Sequence, residues 1–230
     1  MVDGLDGSGK STVTRSWHGM LEARGNTLFD TIAFEKSNGR IATLADIGSA
    51  TVIISGEPGY AGVGKKIRDL MLRPNSGFSP REVTEAFADQ RLERYEALIV
   101  PAIERGFTII QDRGITSSLA FQPTMSEEIT EEFVASLPGN ALALEHRPDY
   151  VVICEVPAAV AAARLGGRTE KQDEALFEKQ EYLERIAMRY RADSWKKYLL
   201  DRGTKFITFD ADQPIALAIN AAQHLLLDLL

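Results

Sequence analysis

The sequence predicts an α/β fold, a doubly wound parallel sheet covered by helices on both faces, and three observations predict it. Short β-rich runs at 51–54, 107–110, 150–154 and 205–209 alternate with stretches of helical period. Such alternation favours parallel strands joined by helical crossovers. The second observation is a glycine-rich turn running straight into an amphipathic helix near the amino terminus. The third is size: 230 residues with 44% hydrophobic and 26% charged side chains suit one sizeable domain, covering 1–230.

Taken in order, Met1 and Val2 are all that stands before the turn, less than a usual strand, so a residue or two is expected upstream. The turn opens a helix through Arg24, ended by Gly25. The polar stretch 27–51 is longer than most connections and reads as a surface excursion in preference to a substrate-side loop. Ser79, Pro80 and Glu82 form a capping-box start for a helix expected to reach Arg105 and stop at Gly106, bent by Pro101. The carboxy-terminal stretch from Ile215 is apolar on one face and interrupted by Asn220, Gln223 and Asp228, which predicts packing on the core.

Composition narrows the function. A formal charge of −7 gives no general attraction for a polyanion, so nucleic acid is not expected as a partner, while a local basic pocket for a small anion remains open. The single cysteine, Cys154, and three scattered histidines, His18, His146 and His224, show no zinc spacing. No run reaches membrane-spanning length and no leader precedes the first motif, so the protein is expected to be cytoplasmic and free of membranes.

Gly4, Leu5, Asp6, Gly7, Ser8, Gly9, Lys10, Ser11 and Thr12 contain the G-x-x-x-x-G-K-[ST] phosphate cradle, followed by a helix as the motif requires. Backbone N–H groups converge on phosphate oxygens, Lys10 supplies charge at the transferring group and Ser11 can ligate Mg²⁺. The apolar run before Asp112 and Arg113 ends in an acid, which places a carboxylate at the carboxyl edge of the sheet, where it can serve the metal; a structural Asp112–Arg113 pair is the plain alternative. The expected cofactors are therefore ATP and Mg²⁺.

Four segments in order resemble the thymidylate kinase family. Asp3 to Thr12 is similar to E-G-x-D-G-x-G-K-[ST]-T. Glu57-Pro58-Gly59 with Gly64-Lys-Lys-Ile-Arg68 is similar to R-E-P-G-G-T followed by G-E-x-[IL]-R. Phe87 to Arg91 is similar to F-A-A-D-R, and Asp112 to Gln122 to D-R-Y-x-x-S-S-x-A-Y-Q.

The resemblance implies a P-loop nucleoside monophosphate kinase that passes the γ-phosphoryl of ATP to a deoxypyrimidine monophosphate, foremost dTMP, and works as a homodimer. It implies thymine contacts at Phe87 and Arg91, which share a helix face, and a phosphate grip by Arg113. Ser117, Ser118 and Gln122 would bond the base or sugar, Phe121 would crowd the 2′ position, and Asp6 would accept the 3′-hydroxyl. Arg164 and Arg168 match lid arginines in a lid of about 164–176, with Gly166 and Gly167 permitting movement.

Departures are Gly56 for the arginine before Glu57, Gly114 for the tyrosine, Pro123 for a glycine, and a lid without its D-R pair, which offers only Lys171 and Asp173. One phosphate clamp is thus missing, and Arg68 or Lys66 is expected to replace it. Two other readings stand beside this one: a kinase of a hydroxyl acceptor, nucleoside or modified DNA base, with Glu57 as its base, and a regulatory ATPase without a small acceptor.

Overall fold

The most apolar runs become strands with both faces covered, as parallel sheets between helices require. In the computed structural model, which describes residues 1–73, 75–167 and 180–230, the strands are β1 (Val2–Gly4), β2 (Leu28–Asp30), β3 (Val52–Gly56), β4 (Thr108–Asp112), β5 (Tyr150–Glu155) and β6 (Lys205–Asp210). All pair in parallel in the order β2-β3-β4-β1-β5-β6. The period of two is visible in the packing of β3. Val52 and Ile54 join the large core with β1, β4 and β5, whereas Ile53 joins a second core with Leu98 and Ala102.

The helices follow in chain order: α1 (Lys10–Ala23), α2 (Thr31–Asn38), α3 (Gly62–Lys66), α4 (Pro80–Arg94), α5 (Val100–Glu104), α6 (Ile115–Phe121), α7 (Glu131–Ser136), α8 (Pro138–Glu145), α9 (Ala158–Gly166), α10 (Gln180–Arg191), α11 (Lys197–Leu200) and α12 (Ile215–Leu229). Helix α1 ends as expected, with Gly25 at a φ of 85° just past its cap. The capping box of α4 is formed, since Ser79 Oγ accepts from Glu82 N at 3.2 Å and Glu82 Oε2 accepts from Ser79 N at 2.8 Å. Between α4 and α5 a π-helical turn, Tyr95–Ile99, takes up the register change ahead of Pro101, whose ring cannot donate to the preceding turn.

The stretch 27–51 differs from its reading as a surface excursion. It holds strand β2 at the edge of the sheet and α2, capped by Asp30, whose Oδ1 accepts from Ile32 N and Ala33 N. Polar residues on the outer face of an edge unit hide this order from a pattern search. Helix α12 lies on α1, with Ala218, Ala222 and Leu226 buried and Trp17 Nε1 donating to Ala222 O at 2.6 Å. Among the described residues no helix is long and apolar enough to cross a membrane.

Both neighbours of β1, β4 and β5, are distant in sequence, so the chain leaves β1 at a switch in strand order. The carboxyl edge at such a switch is where open α/β sheets bind ligands.

Candidate active site

The cradle sits at that switch. Gly4, at φ 142°, passes so close to β5 that an added Cβ would lie 2.5 Å from the Cys154 carbonyl oxygen, and Gly7, at φ 80°, approaches the Ala161 carbonyl oxygen of α9 equally closely. Both positions exclude a side chain. Lys10 is buried and donates to the carbonyls of Gly4 at 3.2 Å and Leu5 at 2.6 Å. Burial pushes its pKa down to about 8, against the pull of Asp6, Asp112 and Asp3. The ammonium is thus held inside the loop, able to exchange carbonyls for phosphate oxygens.

Asp112 ends β4, and its Oδ1 is buried without a hydrogen-bond partner among the described residues. A buried, unpaired carboxylate oxygen is costly unless a cation or donor meets it. Its neighbour Arg113 does not pair with it. Arg113 turns away at φ 64° and reaches back to the cradle instead. Its Nη1 donates to Asp3 Oδ1 at 3.3 Å, the Gly4 carbonyl at 3.2 Å and Ser117 Oγ at 3.0 Å, and its Nη2 donates to Asp6 Oδ1 at 2.5 Å. Burial disfavours this charge, but Asp6 and Asp3 outweigh it, and the guanidinium is held firmly protonated.

Asp3, fully buried, is the hub beneath the grip. It accepts from Gly4 N at 2.8 Å, Ser117 Oγ at 2.8 Å, Tyr190 Oη at 2.7 Å and Thr116 Oγ1 as well as from Arg113. Phe121 lies alongside, with the Arg113 guanidinium carbon 5.3 Å from its ring centroid. The space next to Gly114, where the related pattern has tyrosine, is taken by Met1 and Gln111 side chains.

Glu57 and Arg91 come together as a buried ion pair. Arg91 donates through Nε (3.2 Å) and Nη2 to Glu57, through Nη1 to Asn140 Oδ1 and through Nη2 to Ser118 Oγ at 3.1 Å, while Gln111 Nε2 donates to Glu57 Oε1 at 3.1 Å. Phe87, one turn before Arg91, is half-buried against the cluster of Ile67, Met71, Val83 and Ala86. Gln122 is buried nearby in the chain with its Oε1 unpartnered.

Arg68 projects from the π-helical turn Ile67–Met71 after α3. Its Nε donates to the carbonyls of Pro58 at 2.7 Å and Gly59 at 3.0 Å, and its guanidinium stacks on Tyr60 at 4.1 Å. Its terminal nitrogens have no hydrogen-bond partner among the described residues. At Gly56, where the clamp is missing, Arg94 donates to the backbone carbonyl at 2.5 Å and pairs with buried Glu35 of α2. The stretch 27–51 therefore supplies a buried carboxylate under this loop, which the sequence did not signal.

Arg164, in the last turn of α9, donates to the Ala211 carbonyl at 3.0 Å, and its Nη1 comes within 4.0 Å of a Cβ placed on Gly9. It stands beside the cradle. Arg168, Lys171 and Asp173, with most of the expected lid, lie outside the described residues. Asp3, Tyr190, Gln111, Glu35 and Arg94 were missed in the sequence. Only Asp3, at a position where the related motif carries an acid, had a signal that could have found it.

A family model described as Thymidylate kinase matches residues 41–220. That span begins after the cradle. A thymidylate kinase of Clavibacter sepedonicus is 25% identical over 98% of this chain and 94% of its own length. Thymidylate kinases of Neisseria gonorrhoeae (28% identical; 74% of this chain, 70% of theirs) and of Bifidobacterium longum (30%; 75% and 73%) are similar. With the family model matching well over half of its length, and the cradle and the Asp-Arg grip meeting at one sheet edge, the chain belongs to the thymidylate kinase family.

Proposed function

We propose that this protein transfers the γ-phosphoryl group of ATP to dTMP, giving ADP and dTDP. The observation that carries the reading is the bridge from Arg113 to Asp6 and the Gly4 carbonyl, because it sets the cation of the acceptor motif against the donor cradle. Two phosphates bound on either side of this bridge meet without a further domain. The acceptor phosphate is already ionised, so the transfer needs no base. Positioning and charge neutralisation by Lys10, Arg113 and Arg164 supply the catalysis.

Ser11 and Asp112 would hold Mg²⁺, and the unpartnered Oδ1 of Asp112 suits that role. When bound, the ion neutralises charge on the phosphate oxygens. Arg68, whose terminal nitrogens have no hydrogen-bond partner among the described residues, is the second cation for the acceptor phosphate, in place of the arginine absent at Gly56. Phe87 offers a ring face to the pyrimidine. Arg91 acts through the Glu57 pair and Ser118, with one Nη1 proton left for the base. Ser117, Gln122 and Phe121 complete the sugar and base contacts, and Asp6 takes the 3′-hydroxyl once it is released from Arg113. We further assign a single domain over 1–230 with a closing segment at about 164–176 that carries Arg168, a homodimer, and a cytoplasmic location.

The hydroxyl-acceptor reading has no support at Glu57, whose carboxylate is buried and engaged by Arg91 and Gln111. Initial rates with ATP·Mg²⁺ and either dTMP, thymidine or hydroxymethyluracil-containing DNA test the assignment. Turnover of dTMP alone is expected, and turnover of DNA or nucleoside without dTMP would overturn it.

A further inference from the structure

Tyr190 touches both halves of the acceptor grip. It lies on α10, 187 positions from Asp3, yet its hydroxyl donates to Asp3 Oδ1 at 2.7 Å. Its ring meets Phe121 edge-on, at 5.9 Å between centroids and 83° between planes, and is backed by Trp195 at 6.0 Å and 89°. The side chain is 4% exposed, and burial first, then Asp3, holds its phenol well above the ordinary range, so it stays a proton donor. Asp3 in turn takes one hydrogen bond from Arg113.

We infer that Tyr190 is a positioning residue that sets acceptor affinity through its hydroxyl and acceptor sugar specificity through its ring. The hydroxyl fixes the carboxylate against which Arg113 is oriented. Without it, Asp3 can turn toward its remaining donors and Arg113 loses its alignment for the monophosphate. The ring packs edge-on against Phe121 while the Arg113 guanidinium carbon lies 5.3 Å from the Phe121 centroid, so Tyr190 is one of the groups that hold the Phe121 ring in place. This second half rests on the reading of Phe121 as the residue that crowds the 2′ position.

The two functions separate in two variants, measured with dTMP and its ribonucleotide counterpart. Tyr190→Phe keeps the ring and is expected to raise KM for dTMP by about fivefold to tenfold, within the range of the net contribution of one intramolecular hydrogen bond, with KM for ATP and the deoxy-to-ribo ratio of kcat/KM unchanged. Tyr190→Leu removes the ring edge and should lower that ratio by about threefold to tenfold, the range of one aromatic pair. The double variant with Phe121→Ala should be no less selective than Phe121→Ala alone. Equal losses for both sugars in Tyr190→Leu, while Phe121→Ala does relax selectivity, would overturn the ring's role and leave the proposed function standing. An unchanged ratio in Phe121→Ala itself would overturn the 2′ reading and the ring's role together. Should Tyr190→Leu not fold, Tyr190→Phe still decides the hydroxyl's role, since an unchanged KM for dTMP, or an equal rise for ATP, contradicts it.

Discussion

Arg113 and Asp6 form an ion pair of 2.5 Å across the line where donor and acceptor phosphates would meet. In the proposed binding mode the pair occupies the guanidinium edge that the acceptor phosphate would take, so acceptor binding would exchange one anion for another. Arg113→Ala is expected to raise KM for dTMP by about tenfold or more, since a charge-assisted bond contributes roughly 1.5–3 kcal/mol, and to leave KM for ATP nearly unchanged. Arg113→Lys should recover little, because an ammonium cannot reproduce the planar fork. Initial-rate kinetics with each nucleotide varied in turn give the answer.

Arg68→Ala should behave similarly toward dTMP, with a rise in KM of about tenfold, if its terminal nitrogens replace the arginine absent at Gly56. Its Nε bonds to Pro58 and Gly59 also hold the loop. A lowered melting temperature with unchanged KM would leave it only that structural part.

Lys10 carries a prediction about protons. Its pKa in the fold is about 8, below the unfolded value of 10.5, because the charge is buried. Between these values the unfolded chain binds more protons, so stability rises with pH over that window, and the full cost of the buried charge is present below it. Lys10→Met should therefore raise the melting temperature of the nucleotide-free protein at pH 7 while nearly abolishing turnover. ATP phosphates should raise the pKa of the bound ammonium. Calorimetry at pH 8 in buffers of different ionisation enthalpy should show proton uptake on ATP binding, and the Met variant should show none.

Glu57 and Arg91 are each almost wholly buried, so removing one partner strands the other. Glu57→Gln should destabilise the fold by about 3–5 kcal/mol, and a cycle with Arg91→Gln should show strong coupling between the two. Chemical denaturation measures both. A variant of normal stability that had lost only turnover would point back to Glu57 as a base.

For Arg164, which stands beside Gly9, the expected effect of Arg164→Ala is on kcat more than on either KM, approaching the 10³-fold lower end of the arginine-finger range (~10³) if it is the one that meets the transferring group. The same measurement on Arg168→Ala assigns the role between them.

The sequence by itself determined the parallel sheet and the glycine-rich cradle, because each is local: a buried parallel strand needs a continuous apolar run, as in β5, and the loop needs glycine at Gly4 and Gly7, where an added Cβ would strike a backbone carbonyl, and at Gly9, whose φ of 92° disfavours a side chain. The start of α4 was legible for the same reason, since Ser79 and Glu82 are three residues apart. What only the tertiary structure decided is which charges meet. Asp112 and Arg113 are neighbours that do not pair, whereas Arg113 joins Asp3 and Asp6, Glu57 joins Arg91, and Glu35 of the apparent excursion joins Arg94. Tyr190 reaches Asp3 only because α10 packs beside α6 and α9. Ion pairs and buried hydrogen bonds depend on distances across the fold and leave no period in the chain, so residues that act through them stay silent until the sheet brings them together.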